Sequence, residues 1–391
     1  MSVHIFLFEV ELAVQNDLRQ INRRRVLLAA LRLGPTSRAE LARDVGLSAP
    51  TAGKIVDELL AGHVLVEEPV APAAPTLVGR PRQIVRLNSR NGRALAIQAG
   101  TVHTRLAPLR VEPPTTDAWP VELPTPASAS AWQRAIETGA ESLPLHKPDV
   151  VMVSVSGIVD ETTGQVFFCP NMHWADGVNL ASLVNRVWPR AKVHVVQDIH
   201  GLALGLLGTT AGATSFLLVD FGHGVGSTAV VDGTIHRGNL PMIGEIGHVP
   251  VVGNDRRCGC GNVGCLETLV SRQAITEAVL GTSIRKPNVS TQWASVVENI
   301  TKRGLNEPLR QAIDRAGAGI AAALNALGLD RVVVTGSVAE LPPVVLERLG
   351  AVVRRDALWA RFGTVHIEAR PRRRLAGLSY AMIDRVIAPV T

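Results

Sequence analysis

The sequence lacks any apolar run of the roughly 18 residues that a membrane-spanning helix requires. Its first residues also lack the basic segment and the long apolar stretch that begin a secretory signal peptide. These two absences predict a cytoplasmic protein that has no membrane partner. Cysteine is scarce, with 4 residues in a chain of 391. In the cytoplasm a cluster of thiols indicates a metal site rather than disulfides.

Acidic side chains are fewer than basic ones, and much of the difference lies near the start of the chain. Lys and Arg exceed Asp and Glu by 40 − 34 = 6 overall, and by 12 − 9 = 3 within residues 1–90. This asymmetry favours contact with nucleic acid without establishing it. The apolar content of 46% is enough to build two or three domains with cores of their own.

Three of the four cysteines lie within eight residues, at Cys258, Cys260 and Cys265, and His248 lies ten positions upstream. Glycines separate the cysteines, which suits a tight loop folded around a metal. Thiolate and imidazole are the ligands that Zn²⁺ prefers, and three Cys with one His form a usual structural site. A cluster of small buried thiols is the alternative, but it does not account for the glycines. Two carboxylates flank the same loop, at Glu245 and Glu267.

Helical patterns dominate the start of the chain. Apolar residues spaced near 3.6 positions predict a helix over residues 12–33, followed by a short helix over 38–45. Thr36 or Ser37 caps the short helix, and Glu40 stands where the acid of a capping box belongs. The three arginines at 23–25 form either a solvated helix face or a contact with phosphate.

A glycine turn and a second cap then indicate DNA binding. Gly46 permits a sharp turn, and Ser48 caps a further helix over 51–60. Apolar and polar residues alternate over 64–68 and 83–87, which predicts the two strands of a wing. The alternative is a plain three-helix bundle with a hairpin, which has little need of a Ser-x-Pro-Thr start to its third helix.

In a winged helix-turn-helix, the start of the last helix enters the major groove, and arginines on the wing enter the adjacent minor groove. The predicted DNA contacts are Arg38, Ser48, Ala49, Thr51 and Lys54 on the helices, and Arg80 and Arg82 on the wing.

From about residue 90 the pattern changes to alternating strands and helices. Apolar, β-branched runs predict buried strands, and glycine-rich loops follow several of them. This arrangement predicts an α/β fold with ligands at the strand ends. The predicted strands are 94–97, 104–107, 149–156, 193–196, 215–220, 226–231, 331–335 and 365–368, and 310–327 is a helix rich in small residues.

These motifs together resemble the ROK family of repressors and sugar kinases. Gly-Glu-Ile-Gly-His at 244–248 and Cys-x-Cys-Gly-x-x-Gly-Cys-Leu-Glu at 258–267 match the zinc and sugar signature of that family without a gap. The Arg-x-Glu-Leu-Ala and Gly-Arg-Pro pieces of its repressor branch stand at 38–42 and 79–81. The resemblance implies a winged helix-turn-helix over 1–88, followed by a two-lobed, actin-like and ribonuclease-H-like ROK domain over 89–391. The lobes span about 89–210 and 211–380, and the last helix packs back on the first lobe.

The resemblance also implies a sugar site, because carboxylates and amides suit the ring of hydroxyls of a hexose. His248 would serve both the metal and the sugar. Asp198 is the position of the catalytic base in the kinases, and Ser156 and Gln197 depart from the family pattern. The implied sugar contacts are Gly157, Asn171, Gln197, Asp198, Glu245, His248 and Glu267.

The nucleotide loops match the kinases poorly. Gln98 stands where the first loop has an acid, and His223 replaces a threonine in the second loop, 222–226. The third loop, at 335–337, has lost one of two glycines. Phosphate cradles need close backbone approach and free N–H groups, so the sequence predicts no kinase activity.

The sequence therefore predicts a DNA-binding regulator that responds to a monosaccharide or amino sugar and represses carbohydrate genes. A homodimer or homotetramer would bind double-stranded operator DNA, and Zn²⁺ would be structural. Two alternatives remain at this point. One is a ROK kinase that phosphorylates a hexose with ATP, and the other is a DNA-binding regulator without a ligand.

Overall fold

The structure is a computed structural model that describes residues 2–69, 83–88, 93–145, 147–209, 214–281 and 289–387. Across these residues it is an α/β protein built on two five-stranded sheets, which confirms the predicted fold class. Among the helices described, none is long and apolar enough to cross a membrane.

Three helices and a hairpin form the N-terminal unit, a winged helix-turn-helix as predicted. They are α1 (Ser2–Leu33), α2 (Arg38–Val45), α3 (Ala49–Ala61) and the antiparallel strands β1 (Leu65–Pro69) and β2 (Gln83–Leu87). The first helix begins ten residues before the predicted start at residue 12.

Side-chain caps fix the ends of α2 and α3. The Ser37 hydroxyl accepts from the Glu40 amide at 3.2 Å, and the Ser37 amide donates to the Glu40 carboxylate at 3.0 Å, which is the predicted capping box. Gly46 ends α2 in the left-handed conformation. Ser48 caps α3 by accepting from the Thr51 amide at 3.3 Å. These local contacts determine where the predicted recognition helix begins.

The first lobe contains a mixed sheet in the order β5-β4-β3-β6-β9. Its parallel strands β3, β6 and β9 are rich in apolar, β-branched residues, because both faces of the sheet are covered. The edge strand β5 lies in a stretch, 113–130, that is rich in Pro, Thr and Ser. The strands are β3 (Ala94–Ala99), β4 (His103–Leu109), β5 (Val121–Pro124), β6 (Val150–Val155) and β9 (Lys192–Gln197), with the hairpin β7 (Ile158–Asp160) and β8 (Gln165–Phe168) and the helices α4 (Ala129–Glu141) and α5 (Leu180–Asn185).

The second lobe repeats this plan with the sheet order β12-β11-β10-β13-β14. The predicted strands at 215–220 and 226–231 are present as β10 and β11, which pair antiparallel, and β13 pairs with β10 in parallel. The strands are β10 (Phe216–Phe221), β11 (Val225–Val231), β12 (Thr234–Ile235), β13 (Arg331–Gly336) and β14 (His366–Ala369). The helices are α7 (Glu267–Val270), α8 (Arg272–Leu280), α9 (Val289–Arg303), α10 (Glu307–Leu327), α11 (Ser337–Glu340) and α12 (Pro343–Asp356). Short 3₁₀ helices lie at His173–Ala175, Ile246–His248 and Leu358–Arg361.

Two further helices connect the lobes. α6 (Asp198–Thr209) packs its apolar side against the second sheet. α13 (Arg374–Met382) packs on α6 and on β4 and β6 of the first sheet, and it continues as a π-helical turn, Ile383–Ile387.

One apolar core runs from the DNA-binding unit into the first lobe. Val26 and Leu27 of α1 belong to the same buried cluster as Leu204 of α6 and Leu378 and Tyr380 of α13. The winged helix-turn-helix therefore packs directly on the helices that connect the lobes.

Candidate functional site

A cleft of about 930 Å³ opens between the lobes, where β6, β9 and β10 reach their carboxyl ends. Residues from both lobes line it, so its shape depends on how the lobes are oriented. All the predicted sugar contacts are among the lining residues: Gly157, Asn171, Gln197, Asp198, Glu245, His248 and Glu267.

Glu267 is oriented by two donors on the cleft wall. Its Oε2 accepts from the backbone N–H of Val225 at 2.8 Å, and its Oε1 accepts from the side-chain amide of Asn171 at 3.5 Å. The second of these contacts crosses the cleft from the first lobe. A carboxylate and an amide held at fixed angles are well suited to bind the hydroxyls of a sugar.

Asp198 lies at the end of β9 and is held from two sides. The Ser154 hydroxyl donates to Oδ1 at 2.7 Å, and Arg374 Nε donates to Oδ2 at 3.1 Å. A general base must be free to accept a proton from the reacting hydroxyl. The ion pair with the buried Arg374 side chain instead suits a carboxylate that positions a bound sugar.

The predicted metal ligands come together at the rim of the cleft. One ligand atom from each of His248, Cys258, Cys260 and Cys265 lies within 4.8 Å of the others. Cys258 Sγ is 3.6 Å from His248 Nδ1, and Cys260 Sγ is 3.6 Å from Cys265 Sγ. A tetrahedral zinc with Zn–S bonds of about 2.3 Å sets its ligand atoms about 3.6–3.8 Å apart. Two of the ligand pairs have this spacing, and the four residues together form a group that could hold such an ion.

The backbone of the metal loop packs against the segment that carries Asn171. A Cβ on Gly259 would lie 2.5 Å from the Pro170 carbonyl oxygen, closer than real side chains approach. Glycine is needed here because the two backbones touch. This contact places the cysteine loop against one wall of the cleft.

His248 connects the metal group to the cleft through its two ring nitrogens. Nδ1 faces Cys258, and Nε2 lies 3.8 Å from Glu245 Oε2. Burial raises the pKa of Glu245, and the neighbouring Glu267 carboxylate adds to the effect while His248 partly opposes it. A metal bound at Nδ1 would fix the ring so that Nε2 keeps its direction toward the cleft.

The loops that resemble the kinase phosphate cradle are occupied by an arginine of the chain itself. Arg372 donates to both carboxylate oxygens of Asp220, at 2.6 and 3.0 Å, and to the Phe221 carbonyl at 2.7 Å. A Cβ on Gly336 (φ 77°) would lie 2.2 Å from the Arg372 guanidinium, which shows how closely this side chain approaches the loop. A Cβ on Gly222 would lie 2.8 Å from it. Arg372 therefore fills the space between the second and third loops.

This arginine is already neutralised. Burial by itself raises the pKa of Asp220, but the charges of Arg372 and Arg374 outweigh it and hold the pKa below its ordinary value. Arg374 pairs with Asp198 as well. Two arginines thus face two carboxylates, so Asp198 and Asp220 balance the positive charge that this edge of the cleft would offer to a triphosphate.

The roles of Arg372 and Arg374 are absent from the sequence-based prediction. The signal that could have found them is the arginine run at 370–374, which directly follows β14. Strand β14 pairs with β13, so its carboxyl end lies at the edge of the sheet where the loops gather. A basic run at that edge points to the cleft rather than to solvent.

The predicted DNA contacts on α3 are accessible. Ser48, Ala49, Thr51 and Lys54 are all exposed, on the first two turns of the helix. Arg38 differs, because its guanidinium donates to Asp57 at 2.6 Å and to Glu67 at 3.0 Å, so it braces α2 against α3 and the wing. The remaining predicted contacts, Arg80 and Arg82, lie outside the described residues.

Two sheets that share a cleft, a His/Cys group at its rim that could hold a metal ion and a winged helix-turn-helix define a regulator built on the actin-like fold of sugar kinases. The ROK family model matches residues 94–378, and the chain belongs to this family.

Named relatives match over nearly the whole chain. The xylose repressor of Caldicellulosiruptor bescii is 24% identical over 90% of this chain and 92% of that protein. The N-acetylglucosamine repressor of Escherichia coli O6:H1 is 26% identical over 94% of this chain and 93% of that protein.

Solved structures show the same fold. A ROK family transcriptional regulator, described as a homolog of the E. coli Mlc protein, superposes with a TM-score of 0.69 and 20% identity over 95% of this chain and 97% of that chain. A ROK family glucokinase from Streptomyces griseus, in complex with glucose and AMPPNP, has a TM-score of 0.58 and 21% identity over 74% of this chain and 97% of that chain.

Proposed function

We propose that the protein is a sugar-responsive transcriptional repressor of carbohydrate metabolism genes and not a kinase. The observation that carries the proposal is the occurrence, in one chain, of the complete set of predicted sugar contacts in one cleft and an exposed recognition helix. The two relatives named as sugar repressors align across both parts. A monosaccharide or an amino sugar is the proposed effector.

The arginine in the nucleotide loops argues against phosphoryl transfer. A kinase must hold the phosphates of ATP against backbone N–H groups of these loops. Here Arg372 fills that space and is paired with Asp220. The cleft thus keeps the sugar half of a kinase site, while the half that would hold the nucleotide is closed by the chain itself.

The metal is proposed to be zinc in a structural role. All four coordination positions come from the chain, through His248 and three cysteines, and a closed set leaves no open position for a reacting molecule. Its proposed function is to stiffen the loop that carries His248 toward the sugar.

On DNA, a homodimer or a homotetramer is the proposed form. Two copies of α3 would enter successive major grooves, so that a palindromic operator matches the symmetry of the protein. Ser48, Ala49, Thr51 and Lys54 would face the bases. A sugar that changes the angle between the lobes would change the distance between the two copies of α3.

We expect a sugar to change operator affinity at least about fivefold, the lower end of typical coupling between two sites. The measurement is fluorescence anisotropy at fixed salt, with an operator selected from random duplexes and a panel that includes xylose and N-acetylglucosamine. Lys54→Ala is the matched variant, because it removes a charge at the DNA surface and leaves the cleft intact. It is expected to weaken operator binding while sugar binding stays unchanged.

Operator affinity that stays flat across the panel would contradict the proposal. If calorimetry also showed no sugar binding, the protein would be a DNA-binding regulator without a ligand.

No sugar-dependent release of ADP is expected from the wild-type protein, since the nucleotide loops are filled. A coupled ADP assay with glucose, xylose and N-acetylglucosamine tests this expectation, and Asp198→Asn is its control. ADP release that disappears in Asp198→Asn would establish a kinase instead.

A further inference from the structure

Arg24 of α1 has an environment unlike the solvated helix face or phosphate contact that the sequence suggests. The residue is 8% exposed. Its Nε donates to the Asp384 carboxylate, and its Nη1 donates to the Gly233 carbonyl at 3.3 Å. A buried guanidinium with these two partners is part of the fold and is not available to DNA.

The two partners of Arg24 belong to different lobes. Asp384 lies in the π-helical turn after α13, and that helix packs on the first sheet. Gly233 lies in the turn between β11 and β12, at the edge of the second sheet. Arg24 therefore joins the first helix of the DNA-binding unit to both lobes at once.

The same π-helical turn also contacts, through Arg385, the elements that line the cleft. Arg385 donates to the Val195 carbonyl at 3.0 Å and also forms an ion pair with Glu161. Glu161 in turn accepts from the backbone N–H of Gln197 at 2.7 Å. Gln197 immediately precedes Asp198 in the predicted sugar site. The turn that holds Arg24 is thus two contacts away from the end of β9.

A residue of the second lobe also contacts Glu161. Arg237 donates to Glu161 Oε2 at 2.9 Å, and its segment runs from β12 toward Glu245. A sugar that draws Glu245 and Gln197 together would act on both partners of Arg24, through Glu161 on one side and through the β11–β12 edge on the other.

We propose that Arg24 is a positioning residue that converts the angle between the lobes into the orientation of α1. The proposal rests on the proposed function. The apolar side of α1 packs on α6 and α13, and the bond from Arg24 to Gly233 adds a directional contact with the edge of the second sheet. The guanidinium can bond Asp384 and Gly233 together only over a narrow range of separations, and a buried charge that loses a partner is strongly disfavoured. Rotation of the lobes therefore shifts α1, and α2 and α3 shift with it.

Arg24→Gln tests the proposal, with Arg19→Gln as the matched control. Arg19 lies on the same helix, is exposed and bonds Glu58 inside the DNA-binding unit. The ratio of operator Kd with and without sugar is measured, using xylose or N-acetylglucosamine, whichever shifts the wild type. A wild-type ratio in the usual range of about 5 to 150 is expected to fall close to 1 in Arg24→Gln. Arg19→Gln keeps the wild-type ratio, and the sugar Kd without DNA stays the same in all three proteins.

Hydrogen exchange on the sugar-free protein supplies a readout that does not depend on any sugar. Amides of 233–235 and 383–386 are expected to exchange faster in Arg24→Gln than in Arg19→Gln, because both segments lose the residue that joins them. Asp384→Asn provides a second variant with the same expectation if Arg24→Gln does not fold.

The two readouts separate the possible failures. If sugar does not change the operator affinity of the wild-type protein, the proposed function is refuted. The exchange measurement would still decide whether Arg24 joins the lobes. Unchanged exchange, or sugar coupling retained in Arg24→Gln, would overturn the role of Arg24 itself.

Discussion

Substituting serine for Cys260 is expected to release the metal and to destabilise the protein by several kcal/mol. Zinc binding at structural sites in zinc-finger peptides is worth about 10–16 kcal/mol, and much of that energy appears as folding stability. Here the metal would hold one loop of a larger domain. Only part of the metal-binding energy is therefore expected to contribute to the free energy of unfolding. Removing one thiolate leaves His248, Cys258 and Cys265 without a complete tetrahedron.

The measurement is zinc content by elemental analysis, together with Tm, on protein purified without chelator. Cys169→Ser is the matched control, because Cys169 is a buried cysteine outside the metal group. It is expected to keep the metal. A Cys260→Ser protein with the zinc content of the wild type would show that the ligand assignment is wrong.

Glu161→Gln is expected to lower the free energy of unfolding by about 3–5 kcal/mol, the usual cost of removing one partner from a buried ion pair. The Glu161 side chain is 6% exposed and accepts from His200 at 2.9 Å, from Arg237 at 2.9 Å and from Arg385. A neutral amide leaves these donors without their counter-charge. Urea unfolding followed by tryptophan fluorescence measures the loss.

The matched control is Glu298→Gln. Its carboxylate pairs with Lys302 on the surface of α9, with 62% of the side chain exposed. Solvent screening makes such a pair weak, so little change is expected. An equally small effect in Glu161→Gln would contradict the assignment of Glu161 as the counter-charge of His200, Arg237 and Arg385.

The effect of Glu161 depends on pH with a definite sign. Burial by itself raises the pKa of Glu161, but the hydrogen bond and charge of His200, with the charges of Arg385 and Arg237, outweigh it and hold the pKa well below its usual range. A carboxylate whose pKa is lower in the folded than in the unfolded state stabilises the fold at pH values above its unfolded-state pKa, about 4.3. This contribution to stability is lost as the pH falls below that value. The stability difference between wild type and Glu161→Gln is therefore expected to be full above about pH 5 and to shrink in acid. A difference that grew on acidification would refute the assignment.

The metal group and the helix caps could be predicted because they are local. Cys258, Cys260 and Cys265 lie so close in sequence that a glycine loop brings them together with few alternatives. Ser37 and Glu40 find each other within one helical turn. The sugar contacts needed more than spacing: Asn171 and Glu267 are 96 positions apart, and only the family motif indicated that they share a cleft.

The sequence by itself determined the long buried strands, the helix caps, the grouping of His248 with three cysteines and the start of the third helix, since each depends mainly on neighbours close in sequence. Only the tertiary structure decided that Arg372 fills the nucleotide loops and that Arg24 is buried between the lobes. Arg372 is 152 positions from Asp220, and Arg24 is 360 positions from Asp384. The physical reason is that a single charged side chain follows no periodic pattern in the sequence from which its partner could be predicted. Its partner depends on which elements pack together, and that is set by the whole core.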